Sequence, residues 1–289
     1  MRILVAIPHF FRARGADAAH GSEGDAPRRR LMLANTLAAL HSHCGPRQAL
    51  LHTTERCTRP ANETLRADLD VVVCTTGDDH LLAGLPTHLC RHCPTAAEPR
   101  LLGYECHGEL ARGLGRYDYY CYLEDDIVLA DPLFFRKLAW FDGLFGQGAL
   151  LQPNRFEIAP EPPVRKLYMD GDLVDPAISP RFQDRRQQPR LSAAAMGQEM
   201  VFQRVDNPHS GCFFLTAAQM GHWAGQPWFL DRAADYWGPL ESAATLGIMR
   251  SFRVYKPARE NAGFLEVMHA DRRYLQRRLR LAADPPHRF

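Results

Sequence analysis

Tyr119-Tyr120-Cys121-Tyr122-Leu123-Glu124-Asp125-Asp126-Ile127 is the stretch that decides how this chain is read. Five aromatic or apolar residues, most of them β-prone, run straight into three carboxylates. Like charges repel, and the apolar strand before them adds a desolvation cost, so carboxylates placed together here need a reason. A divalent cation supplies one, because hard cations prefer carboxylate oxygens. In open α/β sheets, ligands bind beyond the carboxyl ends of strands, which is where Glu124–Asp126 fall. The structural alternative is an acidic turn or helix start, which Asp and Glu also favour.

Working outward, the segments on either side alternate between strand and helix patterns. Ile3–Ile7 and Leu69–Cys74 are short, largely β-branched runs expected as core strands of a parallel sheet. Gln48–His52 is also strand-like. Leu31–Ser42 and Leu101–Leu114 carry apolar residues at helical spacing. The stretch from Phe11 to Arg30, with three consecutive arginines, is expected as an exposed loop. Downstream, a helix is expected over Leu133–Phe145, strands over Leu150–Glu157 and Arg165–Met169, and a long loop or lid over Ser179–Met200. Gly211–Leu215 is expected as a strand leading into a helix over Thr216–Trp223. Further helices are expected over Leu240–Met249 and Asp271–Arg280. This pattern predicts α/β architecture with right-handed crossovers. With no internal repeat and no sharp linker, residues 1–289 are expected to form one domain.

Composition narrows the classes. The chain has 289 residues, Lys+Arg 35 against Asp+Glu 33, a net charge of +2, and 46% hydrophobic residues. Near-neutrality argues against a dedicated nucleic-acid binder, and the apolar content excludes global disorder. The apolar run at Ile3–Ile7 ends at Pro8, too short for a secretory leader, and no stretch approaches the ~18 apolar residues of a membrane span. A cytoplasmic location is therefore expected. The eight cysteines are scattered and expected to be reduced thiols. Cys90, Cys93, Cys106 and His107 contain zinc-like pieces but no second pair at a finger spacing.

The run Leu123–Phe135, an apolar strand, Glu-Asp-Asp, then Asp131-Pro132-Leu133-Phe134-Phe135, resembles the GT-A glycosyltransferases. The Glu-Asp-Asp form of their DxD-type motif in the N-acetylglucosaminyltransferase I family is the version it is most similar to. The resemblance covers about a dozen residues together with the order of elements. It implies a Rossmann-like, mostly parallel sheet flanked by helices, with a smaller antiparallel sheet on the acceptor side. Residues up to about 130 would bind a nucleotide-sugar, and those from 131 onward the acceptor. It further implies a metal-dependent transfer, with Mn²⁺ or Mg²⁺, from a nucleotide-sugar, most typically a UDP-sugar, to a hydroxyl acceptor such as a carbohydrate.

Carried onto this sequence, the resemblance makes Asp126 a direct metal ligand, with Glu124 or Asp125 contacting ribose or a metal-bound water. His269, at the end of the apolar run Phe264–Met268, fits a second ligand, although a buried structural histidine has the same signature. Pro8 and His9 end the first strand, where such proteins hold the nucleobase. Thr76 could add a base or ribose contact, and Arg100 a phosphate contact. Glu241, after Gly238-Pro239, is the candidate general base of an inverting transfer, with Asp231 and Asp235 as rivals. Complementing the helix dipole is the alternative role for Glu241.

Two other readings stay open. A sugar-1-phosphate nucleotidyltransferase also uses an acidic metal site on an α/β sheet, but Pro8-His9-Phe10-Phe11 stands where its Gly-rich phosphate loop would be. A non-catalytic carbohydrate-binding protein on the same fold is the third. Arginines at 272, 273, 277, 278 and 280 suggest weak contact with anionic lipid, or simply a solvated helix face.

Overall fold

In a computed structural model of the chain, residues 1–12, 25–159, 164–171, 175 and 177–275 are described. The first half lays down β1 (Arg2–Pro8), α1 (Ala26–His43), β2 (Ala49–His52), β3 (Cys57–Pro60), β4 (Asp68–Thr76) and β5 (Arg91–Thr95). Then come α2 (Leu102–Arg112), β6 (Tyr119–Leu123), β7 (Ile127–Val128) and α3 (Phe134–Phe145). The second half contains β8 (Ala149–Leu151), β9 (Asn154–Ile158), β10 (Lys166–Tyr168), β11 (Arg190–Ala195) and β12 (Gln198–Gln203). It ends with β13 (Cys212–Thr216), α4 (Ala217–Ala224), α5 (Pro239–Ser251), β14 (Arg253–Pro257) and β15 (Glu266–His269).

The main sheet has the order β13-β6-β1-β4-β5. Its β6, β1, β4 and β5 are parallel, and β13 closes the β6 edge antiparallel. The alternation of side chains along these strands makes two cores. Ile3, Val5 and Ile7, Val71 and Val73, and Tyr119, Cys121 and Leu123 face one side, where Leu33, Leu37 and Leu40 of α1 and Phe134, Leu138 and Phe141 of α3 cover them. Leu4, Ala6, Val72, Cys74, Tyr120 and Tyr122 face the other, under α2, α4 and α5. A strand covered on both faces has to be apolar throughout, which is why β1 and β6 read as unbroken apolar runs. The result is an α/β fold with a mainly parallel sheet between helical layers, as the sequence predicts.

Two smaller sheets, β10-β9-β15-β7 and β11-β12-β14-β8, extend the second half. The expected strand over Leu150–Glu157 is in fact two strands, β8 and β9. They part at Gln152-Pro153, because proline cannot donate to a ladder, and each joins a different sheet. The expected lid over Ser179–Met200 is a 3-10 turn at Ser179–Arg181 followed by the β11–β12 hairpin. Its two-residue turn, Met196-Gly197, has positive φ at both positions, which the hairpin twist favours. The strand expected at Gln48–His52 pairs only with β3, in an exposed hairpin outside the main sheet.

Helix α1 starts earlier than its apolar pattern indicates. Asp25 caps it, its carboxylate accepting the Arg28 backbone N–H at 2.7 Å, so the arginines expected in an exposed loop lie in the first helical turns. The remainder of that expected loop, residues 13–24, falls outside the described residues. Residues 271–275 form turns rather than the start of the expected C-terminal helix; residues 276–289, including Arg277, Arg278 and Arg280, lie outside the described residues. No helix among the described residues is long and apolar enough to cross a membrane.

Candidate metal and donor site

The parallel register puts the carboxyl ends of β1, β4 and β6 at one edge of the sheet. Glu124, Asp125 and Asp126 turn away from the end of β6 there, with the Ile127 N–H donating to the Glu124 carbonyl at 3.1 Å. The antiparallel β13 brings Gly211 alongside, and its carbonyl accepts the Glu124 N–H at 2.9 Å. Gly211 has φ +62°, and a Cβ there would stand 2.6 Å from Glu124 Oε2. Only glycine combines that backbone with that approach.

Strand β15 reaches the same edge. His269 pairs with Ile127 across β15–β7, and the parallel β15–β9 register sets Met268 beside Phe156. His269 Nε2 lies 3.5 Å from Asp126 Oδ2, and its Nδ1 is 2.8 Å from Glu157 Oε1. Ligand-capable atoms of Asp126, His269 and Asp271 all lie within 4.8 Å of one another. One imidazole and two carboxylates suit a divalent cation such as Mn²⁺ or Mg²⁺. Glu157, fully buried, also accepts the backbone N–H groups of Tyr274 and Leu275, at 3.1 and 2.8 Å. A carboxylate gripped in this way fixes the imidazole ring it faces, the arrangement commonly found behind metal-bound histidines.

Asp125 faces the other way. It accepts His9 Nδ1 at 2.5 Å and both contacts of Arg29 Nη2, at 3.0 and 2.9 Å, while its carbonyl accepts the Thr36 hydroxyl. Burial pulls this carboxyl up, but Arg29 and His9 outweigh it and hold the pKa below the ordinary aspartate value. His9 is 1% exposed, and its Nε2 accepts the Leu81 N–H at 3.0 Å, so both ring nitrogens already have protein partners. The His9–Asp125–Arg29 link ties β1, β6 and α1 together at the sheet edge.

Burial, and then the Asp126 charge, push the Glu124 carboxyl up to about 8, against the pull of Arg155. Glu241, in the first turn of α5, adds to the same rise, which puts it within electrostatic reach of Glu124. Behind Glu124 lies a buried ionic network. Arg155 Nε donates to Asp170 at 2.8 Å, and Lys256, 1% exposed, donates to Asp170 and to the His209 carbonyl, each at 2.8 Å. Burial alone would raise Asp170, but Arg155 and Lys256 bring it down to about 2. Burial, with the Arg155 charge next, drives His209 well below its ordinary value.

Of the residues singled out in the sequence, the structure gathers Glu124, Asp125, Asp126, His269 and His9 at one edge, with Glu241 in electrostatic reach of Glu124. Pro8 sits beside them at the end of β1. Thr76 ends β4 with its hydroxyl bonded to the Ala97 carbonyl at 2.9 Å. Arg100 lies exposed in a 3-10 turn, and no hydrogen bond or ion pair joins it to the acidic cluster among the described residues. The cation at the cluster is Arg29 instead. Asp231 is paired with Arg250 at 2.8 Å, and Asp235 lies exposed on the loop before α5. Cys90, Cys93, Cys106 and His107 form no ligand cluster among the described residues, and His107 is bonded to the Ala243 carbonyl at 2.8 Å. All eight cysteines are free thiols.

Sequence reasoning gave no site role to Asp271, Glu157, Asp170, Lys256 and Arg29, and read Arg155 only as the end of a polar turn, Gln152–Arg155, on the acceptor side. Asp271 lies in the turn that follows β15, where strand alternation gives no signal for it. Arg155 and Glu157 alternate with Phe156, which reads as a solvated strand face; here that face is turned inward to the site.

No protein-family model and no curated protein matches the sequence. Solved structures with similarity include mouse xyloside xylosyltransferase 1 in its apo form, 13% identical, covering 88% of this chain and 84% of that one, with a TM-score of 0.39. Mannose-1-phosphate geranyltransferase from Thermus thermophilus is 13% identical, with 89% and 73% covered and a TM-score of 0.36. A CMP:2-keto-3-deoxy-manno-octonic acid synthetase complexed with CTP is 12% identical, with 89% and 90% covered and a TM-score of 0.37.

Proposed function

We propose that the protein is a metal-dependent glycosyltransferase that moves a sugar from a nucleotide-sugar, a UDP-sugar in the first instance, to a hydroxyl acceptor with inversion. The observation that carries this reading is the convergence of Asp126, His269 and Asp271 at the carboxyl edge of the parallel sheet, with Glu157 holding the far side of the His269 ring. Those three residues would hold Mn²⁺ or Mg²⁺. A divalent cation bound there would offset the negative charge that develops on the leaving diphosphate.

The chain's own groups divide the remaining work. Glu241 takes the acceptor proton as the acceptor oxygen bonds to the anomeric carbon, and the nucleoside diphosphate departs with the electron pair of the broken bond. The Arg155–Asp170–Lys256 network sets a guanidinium near Glu124 that opposes, without cancelling, the rise that burial, Asp126 and Glu241 impose on that carboxyl. His9, Asp125 and Arg29 brace the strand ends that carry the ligands.

Incubation with a panel of nucleotide-sugars, Mn²⁺ and simple acceptors tests the proposal. Release of nucleoside diphosphate with glycoside formation is expected, lost in a folded Asp126→Ala variant. Release of pyrophosphate from a nucleoside triphosphate and a sugar-1-phosphate would instead identify a nucleotidyltransferase. Thermal shift with no turnover would identify a binding protein. Full turnover in Glu241→Gln would remove the base assignment.

A further inference from the structure

Both side-chain oxygens of Asp271 are held by arginines: Oδ1 by Arg28 Nη2 at 2.9 Å, and Oδ2 by Arg273 Nε at 2.6 Å. Arg28 Nη2 also donates to the Asp271 carbonyl. The neighbouring Arg29 holds Asp125 and approaches Asp126 Oδ2 to 3.8 Å. The first turn of α1 therefore lays one guanidinium on each of the two carboxylates, Asp126 and Asp271, that the proposed metal centre needs.

The two arginines differ in what they can do. The Arg29 side chain is 11% exposed and bound by two contacts to Asp125, so it is fixed. The Arg28 side chain is 46% exposed and, among the described residues, held only through Asp271, so it is able to swing. A divalent cation and a guanidinium on the same carboxylate oxygen repel one another, so the two compete for Asp271 Oδ1. An arginine that leaves Asp271 at this edge remains beside the cation, where a diphosphate would lie, and its planar fork matches phosphate oxygens.

Resting on the glycosyltransferase reading above, we infer that Arg28 is a donor-binding residue that exchanges partners: it releases Asp271 to the metal and takes the diphosphate of the nucleotide-sugar. Asp271 thus couples metal loading to donor binding. A cation that arrives alone has to displace Arg28 without compensation, whereas a cation arriving with a diphosphate gives Arg28 a new anionic partner.

The exchange makes a distinctive prediction, because one substitution should move two affinities in opposite directions. Mn²⁺ binding to the full chain is measured alone by electron paramagnetic resonance, and inorganic pyrophosphate binding is then measured by calorimetry at saturating Mn²⁺. In Arg28→Ala, Mn²⁺ alone should bind about fivefold more tightly, since its competitor is gone. Pyrophosphate should bind about tenfold more weakly. Arg28→Lys, which keeps the charge but loses the fork, should restore Mn²⁺ affinity toward wild type and recover only part of the pyrophosphate affinity. Either affinity shifting without the other, or both shifting in the same direction, overturns the exchange. Wild-type protein that binds no Mn²⁺, or binds it equally well after Asp126→Asn, overturns the glycosyltransferase reading itself and the exchange with it.

Discussion

Glu157 and His269 form a buried pair, with Oε1 2.8 Å from Nδ1, and the ring's other nitrogen is thereby turned toward Asp126, 3.5 Å away. With a carboxylate opposite Nδ1, the proton belongs on that nitrogen and the lone pair on Nε2, the form a cation needs. Glu157→Gln keeps the shape but lets the amide present either an oxygen or an NH₂ group to the ring. Mn²⁺ affinity should fall about 10- to 100-fold in protein that circular dichroism shows to be folded, as titration can check. Unaltered affinity would separate His269 from the metal.

Gly211 is the second test. A Cβ at this position stands 2.6 Å from Glu124 Oε2, 3.1 Å from Cδ and 3.2 Å from Ile127 Cγ1, on a backbone with φ +62°. Gly211→Ala should cost about 1–3 kcal/mol of stability through the left-handed backbone alone. It should also displace Glu124, lowering turnover more than the loss of folded protein accounts for. A variant that melts lower but turns over normally per folded molecule would show that Glu124 can shift without consequence.

Asp170 carries a different kind of load. It is the counter-charge to both Arg155 and Lys256, deep in the fold. Asp170→Asn leaves two buried cations facing a neutral amide and should destabilise by about 3–5 kcal/mol in urea unfolding. The acid behaviour follows from the same contacts. Its folded pKa of about 2 lies below the ordinary 3.8, so its contribution is full above pH 3.8 and is lost as pH falls toward 2. Acid unfolding of Asp170→Asn should therefore show a shallower loss over that interval than wild type.

Asp142 should behave in the opposite sense. Burial pushes its carboxyl from 3.8 up to about 7, opposed only by a hydrogen bond from Gln219. Because the folded state holds the proton more tightly, the group favours folding below pH 3.8 and loses that advantage as pH rises toward 7. Asp142→Asn should raise the melting temperature by about 2 °C or more at pH 8 and by much less at pH 4, in scanning calorimetry at both pH values. Equal shifts at the two would show that the charge is not the cause.

Three central strands of the main sheet, β1, β4 and β6, were legible because burial on both faces requires apolar runs; the edge strand β5, Arg91–Thr95, is polar and half-exposed and was not read as a strand. The acidic end of β6 and the histidine closing β15 were legible because charge set against an apolar run stands out. What escaped was polar residues turned inward. Arg155 and Glu157 look like the wet side of a strand, and Lys256 and Asp170 like ordinary surface charge, yet all four side chains are buried. Arg28 and Arg29 read as loop because the apolar period of α1 begins only at Leu31, whereas the helix starts at a capping aspartate that periodicity ignores. The β11–β12 hairpin escaped for a similar reason. β11, Arg-Leu-Ser-Ala-Ala-Ala, has a single large apolar residue, and the apolar run of β12 is confined to Met200–Phe202, so neither shows strand alternation.

The pairing of β15 with β7 has a consequence for how the protein is made. His269 meets Ile127 across that ladder, so the site joins two parts of the chain separated by most of the second half of the sequence. Closing so long a loop is slow and is rewarded only once β9 and β15 have aligned. The main sheet and its helices can form during synthesis, but metal affinity should emerge late and abruptly, when Asp126, His269 and Asp271 first share a neighbourhood. Refolding followed by Mn²⁺ uptake should therefore lag behind refolding followed by backbone circular dichroism.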